Sequence, residues 1–396
     1  MKNELNATSR DGINKGTIFF IISLIVVLLI QLSKITQQKS IESIMFSATF
    51  VLLLLCISLL FTKRLPNRIF LMTLWLVFQA IVSVLISSHE LTFSYFNKLL
   101  FFLATVLSIF FVSFYPLNKI TIQWIYRISI LQSVVFIIAY IFNMTGSFGI
   151  IEAITFGFAN PNFTGMWLLH VICINFVYLY EKGEKNERLK FLLILIVNVF
   201  QIYFLVLTQN RASYFGLLIF AVGLIMNKIR KNKFYSINEL IVAFIPALTV
   251  ILYFWLNASG RIQAFQILSS TGKALTSRIG IWREGLEVFL ASPLSGDYHT
   301  VIYNLSFSQM HNVYIDLLAS YGGIVAVLFF LFLLYMLKHA RRRITSSQQN
   351  IAYWGITAVI MASSFEAALV SGSTGMHLMT CALFVLTNHV GERKNE

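Results

Sequence analysis

Charge is what this 396-residue chain has least of: only 12% of its residues are charged, about half the share of an ordinary soluble domain. Acidic residues are the scarcer sign, 16 against 30 Lys and Arg, and the formal net charge is +14. There are three cysteines, Cys56, Cys173 and Cys381, each inside an apolar run, which excludes a disulfide framework. The chemistry motifs that are missing narrow the function further. No Walker loop, no His/Cys cluster with zinc spacing and no G-x-S-x-G elbow occurs. No D-x-D-like carboxylate pair is present to hold a divalent metal, so neither a metal nor any other cofactor is expected. No fixed-period repeat or low-complexity tract is found, and no soluble domain is expected at either end.

In place of charge there are hydrophobic residues, 58% of the chain, gathered into uncharged runs such as GTIFFIISLIVVLLIQL and FLLILIVNVFQIYFLVL. A helix needs about 20 such residues to cross a hydrocarbon core about 30 Å thick. Barrel strands would alternate polar and apolar, and these runs do not, so the spans are helical. Twelve are expected, at roughly 17–33, 41–61, 69–86, 97–115, 122–142, 162–180, 189–208, 213–227, 239–256, 312–337, 351–370 and 374–390. The first has no small-residue cleavage site after it and reads as a retained span. With both termini placed in the cytoplasm, 22 of the 30 basic residues fall on the inner side. The positive-inside rule thus accounts for most of the basic excess and leaves nucleic acid without a role as partner; the lipid bilayer is the expected one.

The chain reads as a single all-α polytopic membrane domain over 1–396 with one large external loop, 257–311. A second external stretch, 143–161, is free of Lys and Arg and rich in turn formers. Within the long loop, SRIGIWREGLEVFLASP predicts a short amphipathic helix, with Ser277 as its cap, Pro293 at its end and an apolar stripe of Ile279, Trp282, Leu286 and Phe289. It is expected to lie on the membrane surface or on the outer ends of the spans.

The few outward cations are the candidate site residues. Arg211, in LTQNRASYFG, sits in a polar cluster with Thr208, Gln209, Asn210 and Ser213, which snorkelling to the interface does not require; a guanidinium suits phosphate through bidentate hydrogen bonds. Arg278 opens the amphipathic helix, where the positive dipole end adds to its charge. Arg283 and Arg261 read as more ordinary surface residues. His311, where the long loop enters the next span, is the side chain suited to take a proton near neutral pH. Asn312 follows it, and Tyr314 lies near the same face and could hydrogen-bond a ligand. Asp316 lies off the His311 face. Glu366, near an outer span end, is costly to bury and is expected to pair with an arginine.

These segments resemble the O-antigen ligase and polymerase superfamily of bacterial membrane glycosyltransferases. The resemblance covers roughly 155–340 and rests on FANPNFTG, LTQNRAS, the loop with SRIGIWREGLEVFLASPLSG, and MHNVYIDLLASYGG, in that order. LSGDYH stands where the family more often has a glycine-rich G-x-G turn. The resemblance implies a metal-independent transferase of the membrane GT-C type in the bacterial cytoplasmic membrane, with its active site facing outward. It implies an undecaprenyl-pyrophosphate-linked oligosaccharide donor and a glycan acceptor, and flippase and chain-length regulator proteins as partners. Arg211 and Arg278 match the family's pyrophosphate-binding arginines and His311 its catalytic histidine, with Asn312, Tyr314, Gln209, Arg283 and Glu366 as supporting residues. Polymerase is the leading expectation; a ligase would use the same residues. A flippase or transporter of lipid-linked oligosaccharide is the alternative from another class, and it would call for related halves and ionisable groups at mid-membrane.

Overall fold

The computed structural model describes residues 14–38, 67–87, 93–115, 117–148, 153–158, 160–184, 187–229, 237–258, 276–305, 310–367, 369 and 376–388. The expected span at 41–61, the middle of the long loop with Arg261, and Cys56 lie outside them. The described helices are α1 (Lys15–Ile35), α2 (Asn67–Ser87), α3 (Phe93–Phe114), α4 (Lys119–Ile141), α5 (Pro161–Glu184), α6 (Arg188–Leu207), α7 (Arg211–Ile229), α8 (Glu239–Ala258), α9 (Thr276–Ala291), α10 (Val313–Arg341), α11 (Ser347–Ala362) and α12 (Met376–Asn388). A two-stranded antiparallel pair, Ser147–Phe148 with Ala153–Ile154, lies between α4 and α5.

Among the described residues, nine helices are long and apolar enough to cross a membrane: α1 to α8 and α10. They expose large apolar side chains such as Leu71, Leu189, Val199, Ile251 and Trp255, an arrangement suited to hydrocarbon and costly in water. The protein is a helical, membrane-embedded bundle. The described parts of the last two expected spans are α11, with 16 residues, and α12, with 13. Nearly every described side chain on both is buried, so they form the centre of the bundle and not its lipid-facing wall. The Ser346–Gln349 capping box starts α11, and the polar Ser363-Ser364-Phe365-Glu366 segment follows it.

Without a hydrophobic force between helices in lipid, close packing and neutral polar contacts hold the bundle. Helix α7 packs on α11 through small residues. A Cβ at Gly223 would come within 2.3 Å of Trp354, and one at Gly216 within 3.0 Å of the Ala358 carbonyl oxygen. Neutral side chains bind α1, α4, α5 and α6. Ser129 donates to Asn175 at 2.7 Å, Asn175 to Ser133 at 3.0 Å, and the Gln31 and Gln201 amides to the carbonyls of Gln132 and Ser133.

Helix α9 packs along the first half of α10. Its buried stripe is Ile281, Trp282, Gly285 and Val288, shifted round the helix from the expected one, with Leu286 and Phe289 only half-buried. The shift follows from Gly285, where a Cβ would stand 2.8 Å from Ile315 and Met310, so the helix turns its smallest residue to its neighbour. The following turn, PLSGD, locks onto a break in α10. Gly322, at φ 81 and ψ 177, divides α10 into 313–321 and 323–341. Asp297 N–H donates to the Ala319 carbonyl and Gly323 N–H to that of Pro293, both at 2.8 Å. The expected departure at LSGDYH is thus a left-handed turn at Gly296, φ 65, set back to back with Gly322.

A side chain at Gly322 would need a left-handed backbone and would meet the Leu294 carbonyl oxygen at 2.2 Å, whereas Gly280 on α9 has open space. Gly322→Ala is expected to lower the thermal midpoint of the detergent-purified protein, costing about 2 kcal/mol or more. Gly280→Ala is expected to leave the midpoint unchanged or raise it, through a gain in stability of up to about 1 kcal/mol from helix propensity. The two melting curves check both.

Candidate functional site

Two helix starts carry the candidate residues, and they are built alike. Before each stands a residue in the left-handed region, Gln209 at φ 53 and His311 at φ 49. After each comes an asparagine that caps the helix. Asn210 Oδ1 accepts from Ala212 N–H at 3.0 Å and Ser213 N–H at 3.4 Å, and Asn312 Oδ1 from Tyr314 N–H at 2.9 Å and Ile315 N–H at 3.2 Å. The other end of each amide reaches across to a neighbouring element. Asn210 Nδ2 donates to the Asn162 carbonyl and to Ser213 Oγ, both at 2.8 Å. Asn312 Nδ2 donates to the carbonyls of Pro246 and Ser364, both at 2.9 Å. Asparagine fits because one side chain supplies acceptor and donors together, and a buried helix start has several orphan N–H groups to satisfy.

These contacts explain why the sequence segments belong together. In FANPNFTG, Pro161 takes the first position of α5, Asn160 caps it through the Asn162 N–H at 2.7 Å, and Asn162 receives Asn210. Gly165 lets Asn210 in, since a Cβ there would lie 2.5 Å from its Nδ2. One turn past Arg211, on the same face of α7, the Phe215 ring meets Phe365 edge-on at 5.7 Å between centroids. Phe365 precedes Glu366, and Glu366 Oε2 lies 2.9 Å from His311 Nδ1. FANPNFTG, LTQNRAS, MHNVYI and the end of α11 therefore meet at one end of the bundle.

The His311–Glu366 contact defines the chemistry available. Opposite an ionised carboxylate, which only accepts hydrogen bonds, a neutral ring would carry its proton on Nδ1 and present its basic lone pair on Nε2. The Glu366 side chain is 3% exposed and the His311 side chain 15%, so the ring stands at the edge of the buried region. Its left-handed backbone costs on the order of 1 kcal/mol or more, which the Asn312 cap and the Val313 N–H bond to the Ser363 carbonyl hold in place.

The structure gives partners at three further positions. Glu366 meets His311. Tyr314, expected to face a ligand, is buried and donates its hydroxyl to the Ala243 carbonyl of α8 at 2.8 Å. Asp316 is no partner of His311; it binds Lys98. Arg211 is exposed at the first position of α7, and Gln209 beside it is exposed too. Arg283 is exposed on α9, away from the buried stripe. Arg278 lies in the first turn of α9, and its side chain lies outside the described residues. The Lys98–Asp316 pair was not anticipated. Its signal was a lysine placed at an outer span end and an aspartate at the entry of another span, each costly there without the other.

Among the described residues no group of three or more His, Cys, Asp or Glu side chains is gathered for a metal ion. No family model matches the chain, and no curated protein sequence matches it.

The two asparagines make a direct test of this construction. Asn312→Ala removes a cap and takes one donor each from the carbonyls of Pro246 and Ser364, and it is expected to cost about 2–4 kcal/mol. Asn210→Ala is expected to cost a similar amount. Thermal unfolding in detergent, with neither variant changing the midpoint, would refute the capping account.

Proposed function

We propose that the chain is a metal-independent membrane glycosyltransferase that extends a polysaccharide, transferring an undecaprenyl-pyrophosphate-linked glycan onto a glycan acceptor at the outer face of the bacterial cytoplasmic membrane. The observation that carries the reading is the His311–Glu366 pair, held by the Asn312 cap at the end of the bundle where α7 begins with Arg211. An acid–base group, a carboxylate bonded to it and a helix opened by a guanidinium residue lie at that end of the bundle. The resemblance of the same segments to the O-antigen ligase and polymerase superfamily supplies the substrate class.

The residues divide the reaction as follows. An acceptor hydroxyl attacks the anomeric carbon of the donor sugar. The new glycosidic C–O bond forms as the bond from that carbon to the pyrophosphate oxygen breaks. The hydroxyl proton passes to His311 Nε2, and the bonding electrons leave with the polyprenyl pyrophosphate. Glu366 fixes the ring by Nδ1 and offsets the imidazolium charge that develops. Arg211, joined by Arg278 from α9, offsets the charge growing on the leaving group through charge-assisted hydrogen bonds. Because the Asn210 side chain occupies the first N–H groups of α7, the anion is met there by the guanidinium and the helix dipole and not by open backbone donors.

The full topology belongs to the same proposal. It has about twelve spans and both termini in the cytoplasm, with the His311 end outside. Cysteines introduced singly beside His311 and beside Arg341 should react with a membrane-impermeant thiol reagent on intact cells at the first position only. The reverse pattern would sink the orientation.

Deletion of the protein should leave single lipid-linked repeat units on the outer leaflet and abolish long chains. His311→Ala and Arg211→Ala should keep membrane abundance and lose chain extension by 100-fold or more, on the order expected for loss of a general base or of transition-state charge stabilisation. Full activity in either variant would remove that residue from the mechanism. Finished glycan that fails to reach a lipid core would assign a ligase, which would use the same residues. Units trapped on the inner leaflet would assign a flippase and overturn the transferase.

A further inference from the structure

A buried ion pair lies beside the site, and the mechanism above does not use it. Lys98, from α3, places Nζ 2.9 Å from Asp316 Oδ1 and 2.9 Å from Ser320 Oγ on the first half of α10. Lys98 is 7% exposed and Asp316 is fully buried. Two charges taken out of water carry a large desolvation cost, and replacing such a pair with apolar residues is often neutral or stabilising. Neutral contacts bind α1, α4, α5 and α6 elsewhere in this bundle, so stability alone gives little reason for a charged one here.

The third bond of the cluster gives a reason. Asp316 Oδ1 also accepts the backbone N–H of Met310 at 3.0 Å, and Met310 immediately precedes His311. The bond reaches back across six residues and closes the chain around His311. On its far side His311 is held by the Asn312 cap and by Val313 N–H on the Ser363 carbonyl. On its near side Asp316 holds the residue before it. A residue at φ 49 needs restraint from both sides, because its backbone would otherwise relax to the right-handed or extended region.

We infer that Asp316 is a positioning residue for His311, fixing the Met310 N–H through Oδ1, and that Lys98 serves to offset its buried charge. The pair makes the N-terminal third of the chain part of the site, although the family resemblance does not extend to it. Packing supports the same link. Leu99 N–H donates to the Tyr298 hydroxyl at 3.2 Å, and Phe102 stacks on Tyr321 at 5.2 Å between centroids, so α3 is seated on the break in α10 from several points. The consequence for catalysis rests on the proposed role of His311; the positioning itself does not.

Two double variants of the full-length protein separate oxygen from charge. Lys98→Met with Asp316→Asn removes both charges and keeps an oxygen for Met310 N–H. Its new NH2 group falls at Oδ2, which has no hydrogen-bond partner to lose. Lys98→Met with Asp316→Leu removes the oxygen as well. The readouts are amide exchange in the peptide holding Met310 and His311, and the rate at which diethyl pyrocarbonate modifies His311. Both are expected to match the wild type in the asparagine variant. In the leucine variant both are expected to change severalfold, while kcat for chain extension falls about 100-fold, as a misplaced catalytic group would give, and the KM for the donor stays unchanged.

Wild-type exchange and His311 reactivity in the leucine variant would overturn the inference. A changed His311 reactivity in the asparagine variant would also overturn it, whether or not the leucine variant folds. A shift in His311 reactivity confined to the leucine variant, in a protein that transfers no glycan even as wild type, would uphold the positioning and sink the enzyme reading instead.

Discussion

Every backbone N–H and C=O buried in a bilayer must find its partner inside the protein, and the local form of the candidate site follows from that constraint. A helix that starts within the buried region leaves orphan donors that water would satisfy at an ordinary surface. Here α7 and α10 begin among other helices, and Asn210 and Asn312 stand in for water, each capping its own helix and donating to neighbouring carbonyls. An asparagine that serves two elements fixes their relation as well as its own helix. The starts of α5, α7 and α10, the interior of α8 at Pro246 and the end of α11 are therefore tied to one another by two side chains and what they touch.

The same economy explains where backbone strain sits. Among the described non-glycine residues, five have positive φ, and two of them, Gln209 and His311, immediately precede these capping asparagines. A left-handed residue reverses the chain in one step, which lets the asparagine behind it point its amide into the protein. The strain at His311 is thus a cost of the cap geometry and also what aims the ring at Glu366. Gly322 and Gly296 do the corresponding work for α9 and its turn, where no Cβ could be accommodated between the two backbones.

How much of this was legible in the sequence depended on whether the signal was local. The apolar runs set most of the helices, because length and hydropathy are properties of one segment; 213–227, for instance, became Arg211–Ile229. The last two runs show what hydropathy does not contain. A helix buried on all sides by protein is as apolar as one facing lipid, and only its neighbours reveal which it is. The buried face of α9 includes Gly285, which an apolar count cannot register. Arg211 and His311 were singled out because polar residues at the edge of an apolar run stand out. The Glu366 and Lys98 partnerships were not, since each joins residues 55 or 218 positions apart.

The two pairs also share a physical logic. Glu366 and Asp316 are both nearly or wholly buried, and each is turned towards one cationic or protonatable group, His311 and Lys98. In a medium of low dielectric, the Asp316 carboxylate beside the Lys98 ammonium keeps its field short-ranged, because the pair is seen from a distance as a dipole and not as a charge. Glu366 beside a neutral imidazole keeps its charge, and its field is cancelled in the same way only when the ring takes a proton. In the proposed reaction that proton arrives as the leaving group becomes more anionic, so Glu366 repels it least as its charge grows, and the exposed guanidinium of Arg211 at the positive end of α7 acts in the same direction.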